Sequence, residues 1–582
     1  MSKYAGHVST RVTPQTEKVF GRTDQVLNSA GGFVFAVDDW TRLDRFLVLG
    51  AEGGTYYASE AKLTRENAEC VARCLAADTA RTVARIVEMS VSGRIPKNAT
   101  AIFGLALACG LETGTRPNGA KTFGFIDQVI AQDAVNKVCR TANDFFQFIE
   151  SVKSFRGLGK KMQFLIGNWY GAKTVEQAAF QVTKYVQRNG VSHRDVLRQC
   201  GGAPVTTPAH GALYRWVSSG GEKMGSYSVD RTKGGGKVTE YPAVDPALLP
   251  RIVHAYEAVK KATSKAEILK LIQEDRVPRE FLEGAQSKYL NDPEVWEALL
   301  PSMPLTALVR NLGKMSAIGL ITPLSAAEKL VKAKLGDQAY IKKSRLHPIW
   351  ILVNAKTYGQ GRGVKGSLSW SPTAGVKDAL DAAFFLAFGN VIPSGKGCLL
   401  ALDVSGSMGG RMSGFSDIAG TSVSPREAAA ALALVTARTE PNYHIMGFQD
   451  KLVDIPITAR TSLTDAVRLT ENLPFGRTDC ALPMTTALEK KWSVEAFSVY
   501  TDNETYAGSI HPFQALKQYR HRMGGSAKLC VVGMTATQFT IADPTDAGML
   551  DVVGFDTAAP QIMADFFRGG DASVTESEEV DD

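Results

Sequence analysis

Long hydrophobic runs are missing from this 582-residue chain. The longest, such as Ala428 to Val435, fall far short of the roughly 18 apolar residues that a membrane span needs. No apolar stretch follows Met1-Ser2-Lys3-Tyr4 that could act as a signal peptide. The expectation is a non-secreted, cytoplasmic protein without a membrane partner. Cysteine is scarce and scattered: Cys70, Cys74, Cys109, Cys139, Cys200, Cys398, Cys480 and Cys530. Only Cys70 and Cys74 lie close together, and they supply two of the four ligands that structural zinc requires, with no histidine nearby. The cysteines therefore read as small core residues of a reducing compartment. With 44% hydrophobic and 21% charged residues, the composition is that of a globular protein, which excludes fibrous, collagenous and disordered classes. The length exceeds what one core can organise, so about two to four domains are expected.

Charge of one sign is not evenly spread. From Cys398 to the end there are 14 basic residues against 24 acidic ones, whereas positions 1–397 hold 52 against 35. The net +7 thus averages a basic region and an acidic one. A field of that sign over residues 1–397 favours polyanions and speeds their arrival. Asp571 to Asp582 carry six acids and no base, and read as a disordered acidic tail.

Periodicity changes where the charge does. From about Thr64 to Asn311 apolar residues recur at helical spacing, as in Phe145-Phe146-Phe148-Ile149. They are punctuated by Gly110, Gly157, Asn189-Gly190, Pro250, Pro278, Pro293 and Pro301. This predicts an all-α array of stacked helical pairs with almost no strand. Residues 1–60 are Gly- and aromatic-rich and suggest extended or hairpin structure. Segment 201–245, with Gly-Gly-Gly-Lys at 234–237, is the longest loop-like stretch. After Pro393-Ser394-Gly395 short apolar strands alternate with helices. The strands fall near 398–402, 443–448, 496–500, 529–532 and 549–553; the helices fall near 425–440, 463–473, 482–491, 512–522 and 558–567. That alternation predicts a doubly wound, mostly parallel α/β sheet with its ligand site at the strands' carboxyl ends. The fold class is α plus α/β: a helical region over 1–390, an α/β domain over 391–570 and the tail 571–582.

The first of those strands ends in Asp403-Val404-Ser405-Gly406-Ser407. A carboxylate and two hydroxyls spaced two apart offer hard oxygen donors suited to a divalent cation, most simply Mg²⁺. Thr478, in Gly476-Arg477-Thr478-Asp479, and Asp502, in Tyr500-Thr501-Asp502-Asn503-Glu504, fall on further strand-end loops and complete the set. This D-x-S-x-S pattern with a downstream Thr and Asp resembles von Willebrand factor A domains and their metal-ion-dependent adhesion site. The resemblance implies that Ser405, Ser407 and Thr478 touch the ion, with Asp403 and Asp502 partly bonding through water. It also implies an open position for a partner's carboxylate, and no catalysis. A phosphotransferase of the haloacid dehalogenase type would want a second carboxylate where Ser405 stands. Gly167-Asn168-Trp169-Tyr170-Gly171-Ala172-Lys173-Thr174 has the wrong spacing for a P-loop.

Between Ser151 and Gln199 there are nine Lys and Arg residues and only two acids. Lys184 and Arg188, like Arg194 and Arg198, are spaced i,i+4 and would share a helix face. Ser192-x-x-Asp195 reads as a capping box, placing His193 and Arg194 in a first helical turn that favours phosphate. For His193 local packing and RNA contact both stay open. Trp169, Tyr170 and Tyr185 read as core rather than base-stacking platforms.

The run from Val182-Thr183-Lys184 through Arg194-Asp195-Val196-Leu197-Arg198 resembles the Ro 60-kDa autoantigen family, and the chain is similar to the compact bacterial-type members. So do Met303-Pro304-Leu305-Thr306-Ala307-Leu308-Val309-Arg310-Asn311, Thr501-Asp502-Asn503-Glu504-Thr505 and Phe539-Thr540-Ile541-Ala542-Asp543-Pro544. The resemblance implies a closed ring of HEAT-like helical repeats, the TROVE module, joined to the A domain. It further implies a monomeric, non-catalytic RNA-binding protein with Lys184, Arg188, His193, Arg194 and Arg198 on the RNA-binding segment. Its partners would be Y RNA on an outer basic surface and single-stranded 3′ ends of misfolded or structured non-coding RNA in a central hole, in RNA quality control. In a bacterium a 3′ exoribonuclease, polynucleotide phosphorylase, would join them. The competing expectation is a metal-dependent scaffold that recruits an acidic protein through the A domain.

Overall fold

The computed structural model describes residues 12–569 apart from 51–67, 111, 116–120, 124–127, 189, 221–223, 230–237, 285, 364–366, 410–422, 472 and 474–475. The acidic tail, the glycine run at 234–237 and Gly53 to Tyr57 lie outside the described residues. The chain divides into two compact units. One comprises the N-terminal part to Cys74, residues 92–97 and everything from Val331 onward; the other comprises 75–91 and 98–330.

The first unit is built on a six-stranded sheet. Its order is Leu452–Val453, Tyr443–Phe448, Cys398–Asp403, Ala496–Thr501, Lys528–Gly533 and Met549–Val553. All neighbours are parallel except the short edge strand at 452. Strands 398–403 and 496–501 are buried at every position, which explains their mostly apolar composition. Helix Pro425–Thr439 is buried from Pro425 to Ala437, and its alanines let it lie close against the sheet. Ser424 and Glu427 form its capping box. On the other face, helices Leu482–Glu489 and Pro512–Met523 contribute Met484, Phe513, Leu516 and Tyr519 to a core shared with Phe497 and Leu529.

That core also contains Val34 and Phe35 from the N-terminal segment. Strands Gln25–Leu27 and Phe33–Ala36 form the expected hairpin, and the second pairs antiparallel with Phe539–Thr540 to make a small three-stranded sheet. Docking depends on Gly32, because a Cβ there would lie 1.9 Å from the Thr505 carbonyl oxygen. Asn28 then donates to the carbonyl oxygens of Thr505 and Asn503 at 2.8 and 3.2 Å. Sequence order alone does not convey that residues near 30 fold with residues near 500.

The second unit is helical. Its elements include Thr79–Val91, Ala99–Gly110, Gln128–Val138, Ala142–Phe155, Lys160–Gly171, Val175–Lys184, Pro208–Ser219, Arg251–Lys261, Lys265–Asp275 and Leu305–Ala317. Thr141 with Asp144 and Thr174 with Gln177 form capping boxes. Helix 99–110, apolar nearly all round, is buried from Thr100 to Gly110. Phe145 stacks on Trp169 at 4.1 Å, and both rings are core as expected. The P-loop-like stretch at 167–171 is helix interior.

Three corrections follow. Hairpins Glu112–Thr115/Lys121–Phe123, Gln187–Arg188/Val191–Ser192 and Tyr227–Val229/Thr239–Tyr241 interrupt what periodicity reads as purely helical. Segment 201–245 is not a long loop, since Thr207 caps helix Pro208–Ser219 within it. The expected helix stop at 189–190 gives way to a hairpin: Arg188 pairs with Val191, and Gly190 has φ +79°, while Asn189 itself lies outside the described residues.

A buried ion pair ties the N-terminal segment to the first unit's sheet. Arg45, on helix Asp39–Leu49, is 1% exposed. It donates to both oxygens of Asp551 at 2.8 and 2.7 Å, to the Phe539 carbonyl at 2.9 Å and to that of Thr537. Removing one partner strands a buried charge, so Arg45→Ala should destabilise this unit by about 3–5 kcal/mol. Urea unfolding checks this, and a midpoint equal to that of the parent would contradict it.

Candidate functional site

Strand 398–403 lies between 443–448 and 496–501, so connections leave it in both directions and a crevice opens at its carboxyl end. There the structure brings together Asp403, Ser405, Ser407 and Asp502. The Thr478 connection, which joins helices Leu463–Glu471 and Leu482–Glu489 rather than leaving a strand end, bonds to the segment after Asp502. Asp403, Ser405, Ser407, Thr478 and Asp502 are all buried. The Ser405 backbone N–H donates to Asp403 Oδ1 at 2.9 Å, and the Thr501 hydroxyl donates to Asp403 Oδ2 at 2.6 Å. Ser405 Oγ and Ser407 Oγ are 3.1 Å apart. The Thr478 loop is held by its carbonyl, which accepts from the backbone N–H groups of Tyr506 and Ala507 at 3.0 and 2.9 Å. Gly476 permits the approach, since a Cβ there would meet Gln449 Oε1 at 2.3 Å.

Sequence reasoning missed three contributors. Thr501 orients Asp403. Glu504 adds a third carboxyl beside Asp502, and its Oε2 accepts from the Ala30 backbone N–H at 3.0 Å. Gln15 reaches in from the N-terminal segment, accepting from the Thr505 hydroxyl at 2.6 Å and donating to Asp479 Oδ1 at 2.7 Å. The Thr-Asp-Asn-Glu string signalled Glu504; nothing local signalled Gln15. Asn503, between the two acids, takes the left-handed conformation (φ +64°) that asparagine tolerates.

Burial, and then the negative charge of Asp502, pushes Asp403 up to about 7. The same two causes in the same order push Glu504 up to about 7. Burial also raises Asp502, against the lowering effect of its hydrogen bond with Ser407. Asp502 Oδ2 and Glu504 Oε1 are buried without a hydrogen-bond partner. Among the described residues no group of three or more His, Cys, Asp or Glu is placed to hold a metal ion. A cation here would therefore lean on hydroxyl oxygens. Two carboxylates, one of them with an orphaned oxygen, and three hydroxyls fit a hard divalent ion.

The basic segment of the helical unit is sorted by burial. Helix 175–184 ends at Lys184 with Tyr185 as its C-cap, so Lys184 and Arg188 do not share a helix face as the spacing suggests. Lys184 Nζ is 3.7 Å from Glu280 and partly enclosed. Arg188 lies half-buried on the short hairpin and donates to the Gln187 carbonyl. Ser192 caps helix His193–Gln199, accepting from the Asp195 N–H at 3.2 Å. His193 is only 2% exposed; its Nδ1 is 2.8 Å from the Tyr170 hydroxyl and its ring packs on Phe146. Burial pushes its imidazole down to about 3, so it is neutral and offers no charge to a phosphate. Its role here is packing. Arg194 and Arg198 are exposed, as are Lys153, Lys160 and Lys161.

These two units define a class: a helical domain accompanied by an A-type α/β domain with a strand-end oxygen site. A model of the TROVE domain matches residues 26–274 and 276–357, and a model of the Ro60 vWA domain matches residues 398–567. The chain is 37% identical over 605 residues to the RNA-binding protein RO60 of Caenorhabditis elegans, covering 96% of this chain and 92% of that one. It is 39% identical over 560 residues to the RNA-binding protein RO60 of Deinococcus radiodurans, covering 96% and 97%. The crystal structure of the Deinococcus radiodurans RO (RSR) protein superposes with a TM-score of 0.64 at 37% identity, covering 91% of this chain and all of that one. The chain belongs to the Ro60 family.

The raised carboxyls carry a pH signature. Between about pH 4 and 7 the unfolded chain ionises Asp403 and Glu504 while the folded chain keeps them protonated. Unfolding then releases protons, so in cation-free buffer stability should fall as pH rises through that window and level off above it. Asp403→Asn should make the fall shallower. Thermal melts across the range check this, and stability that rises through the window with no difference between the two proteins would contradict it.

Proposed function

We propose that this protein binds RNA and works by binding rather than catalysis, with the helical unit gripping phosphates. The observation that carries this is the set of exposed cations, Lys153, Lys160, Lys161, Arg194 and Arg198, on a unit that matches the TROVE domain. Relatives named as RNA-binding proteins support it. Exposed guanidinium and ammonium groups can reach a phosphate backbone through solvent, and each phosphate they neutralise releases counterions. Recognition of structured RNA with a single-stranded end would come from shape. Y RNA on the basic surface, and single-stranded 3′ ends of misfolded or structured non-coding RNA in a central hole, are the ligands of this reading. A 3′ exoribonuclease such as polynucleotide phosphorylase joins them if the source is bacterial, and the protein works as a cytoplasmic monomer in RNA quality control.

The oxygen site in the A domain belongs to the same reading as a centre for a divalent cation, Mg²⁺ first. Asp403, Ser405, Ser407, Thr478 and Asp502 would hold it, and the ion would relieve the mutual repulsion of buried carboxylates and present a docking point for an acidic group. The protein residues fix the donor oxygens in place through Thr501 and the Ser405 N–H.

The test separates the two halves. Arg194→Ala with Arg198→Ala should lower affinity for a structured RNA roughly tenfold and make the logarithmic salt dependence shallower by about 1–2 units. Unchanged affinity and slope in this folded double variant would contradict the phosphate-gripping role. Asp403→Ala should abolish any rise of melting temperature on adding Mg²⁺ while RNA affinity holds; a large loss of RNA affinity would contradict the independence of the two sites.

A further inference from the structure

The helical unit carries a cleft that has Arg198 in its wall and whose interior the phosphate-gripping role does not use. Its volume is about 380 Å³, the size of a small-ligand site. Leu197, Val205 and Pro242 supply apolar walls, while Arg198, Arg215 and Tyr214 supply the polar ones. Three separate pieces of chain converge there: helix 193–199, helix 208–219 with the turn before it, and the segment that follows the hairpin ending at Tyr241. Arg215 is 8% exposed and donates to the Gly225 carbonyl at 3.0 Å, which fixes its guanidinium plane. Arg198 is exposed and donates to the Ser218 carbonyl at 3.2 Å, so it stands at the rim. The Tyr214 hydroxyl is buried with no hydrogen-bond partner. Val205 is 62% exposed, an apolar side chain left open at the mouth.

We propose that this cleft receives one unpaired nucleobase of a bound RNA strand, splayed out of its stack against the Arg215 guanidinium and the apolar walls, with Arg198 at the rim for its phosphate. The inference rests on the RNA-binding reading and names a subsite for it. Charge complementarity selects this occupant over an apolar peptide side chain. A base brings its own phosphate, which the exposed Arg198 meets at the rim, whereas a hydrophobic residue would leave that cation unanswered. A flat heteroaromatic ring also satisfies both requirements of the interior. It stacks on a guanidinium plane, and its edge carries acceptors for a phenol hydroxyl that otherwise stays unpaired. A double helix cannot enter, because its bases are stacked and paired.

Filling the mouth tests this without touching a charge. In the full chain Val205→Trp should weaken binding of a short single-stranded oligoribonucleotide roughly tenfold. Binding of a fully paired RNA duplex, and the salt dependence of both, should stay as in the parent. A variant that binds the single strand as tightly as the parent overturns the base pocket while RNA binding itself stands; a parent that binds neither RNA at low salt overturns both. A second measurement needs no variant. A single-stranded probe carrying 4-thiouridine should photocrosslink to the peptides that contain Val205 or Pro242. Crosslinks confined to other peptides overturn the proposal.

Discussion

Desolvation sorts the ionisable groups of this chain. A charge taken out of water must be matched by an opposite charge, by donated hydrogen bonds or by a change of protonation state, and each solution occurs here. Arg45 is matched by Asp551 and two carbonyls. Asp543, shut away from solvent, would be raised by burial, but the bidentate Arg22 guanidinium and Thr545 outweigh it and hold the carboxyl well below the usual range. His193 gives up its proton. Asp403, Asp502 and Glu504 are matched only in part, and that shortfall gives the strand-end crevice its appetite for a cation.

The same rule decides what remains for a ligand in the basic segment. Lys173 is turned inward over the Trp169 ring, donates to the Trp169 carbonyl at 3.0 Å and is lowered to about 8 by burial. Arg156 donates to the Cys109 carbonyl. Lys184 faces Glu280. The cations left in water are the ones able to answer phosphate. A count of lysines and arginines overstates an interface that burial reduces to a handful of side chains.

Much of the α/β unit was legible in the sequence because buried parallel strands advertise themselves. The stretch from Cys398 to Leu402 is an unbroken apolar run, that from Ala496 to Tyr500 is broken only by Ser498, and the helices between them begin at caps such as Ser424. Part of the oxygen site was legible for the same reason, since Asp403 and Asp502 fall at strand ends, whereas Thr478 lies on the connection between helices 463–471 and 482–489. The N-terminal hairpin's placement was not legible. Its bond to residues near 500 rests on Gly32 and Asn28 meeting a backbone carbonyl, a contact without local pattern. In the helical unit two-residue turns misled. Helical spacing on both sides invites reading the Asn-Gly pair as a helix stop, yet Arg188 and Val191 pair across it as a hairpin. That single turn moves Arg188 off the helix that carries Lys184. The helix at 208–219 was hidden by the glycines around it, although Thr207-Pro208 is a sound start signal.

The central claim is that exposed cations of the helical unit hold RNA by its phosphates. It is tested most directly by measuring the affinity of the intact protein for a structured RNA with a single-stranded 3′ end over a series of salt concentrations. The account predicts a straight logarithmic plot with a slope of about −3 or steeper, as several phosphates shed counterions. Affinity that is absent at low salt, or indifferent to salt throughout, would contradict it.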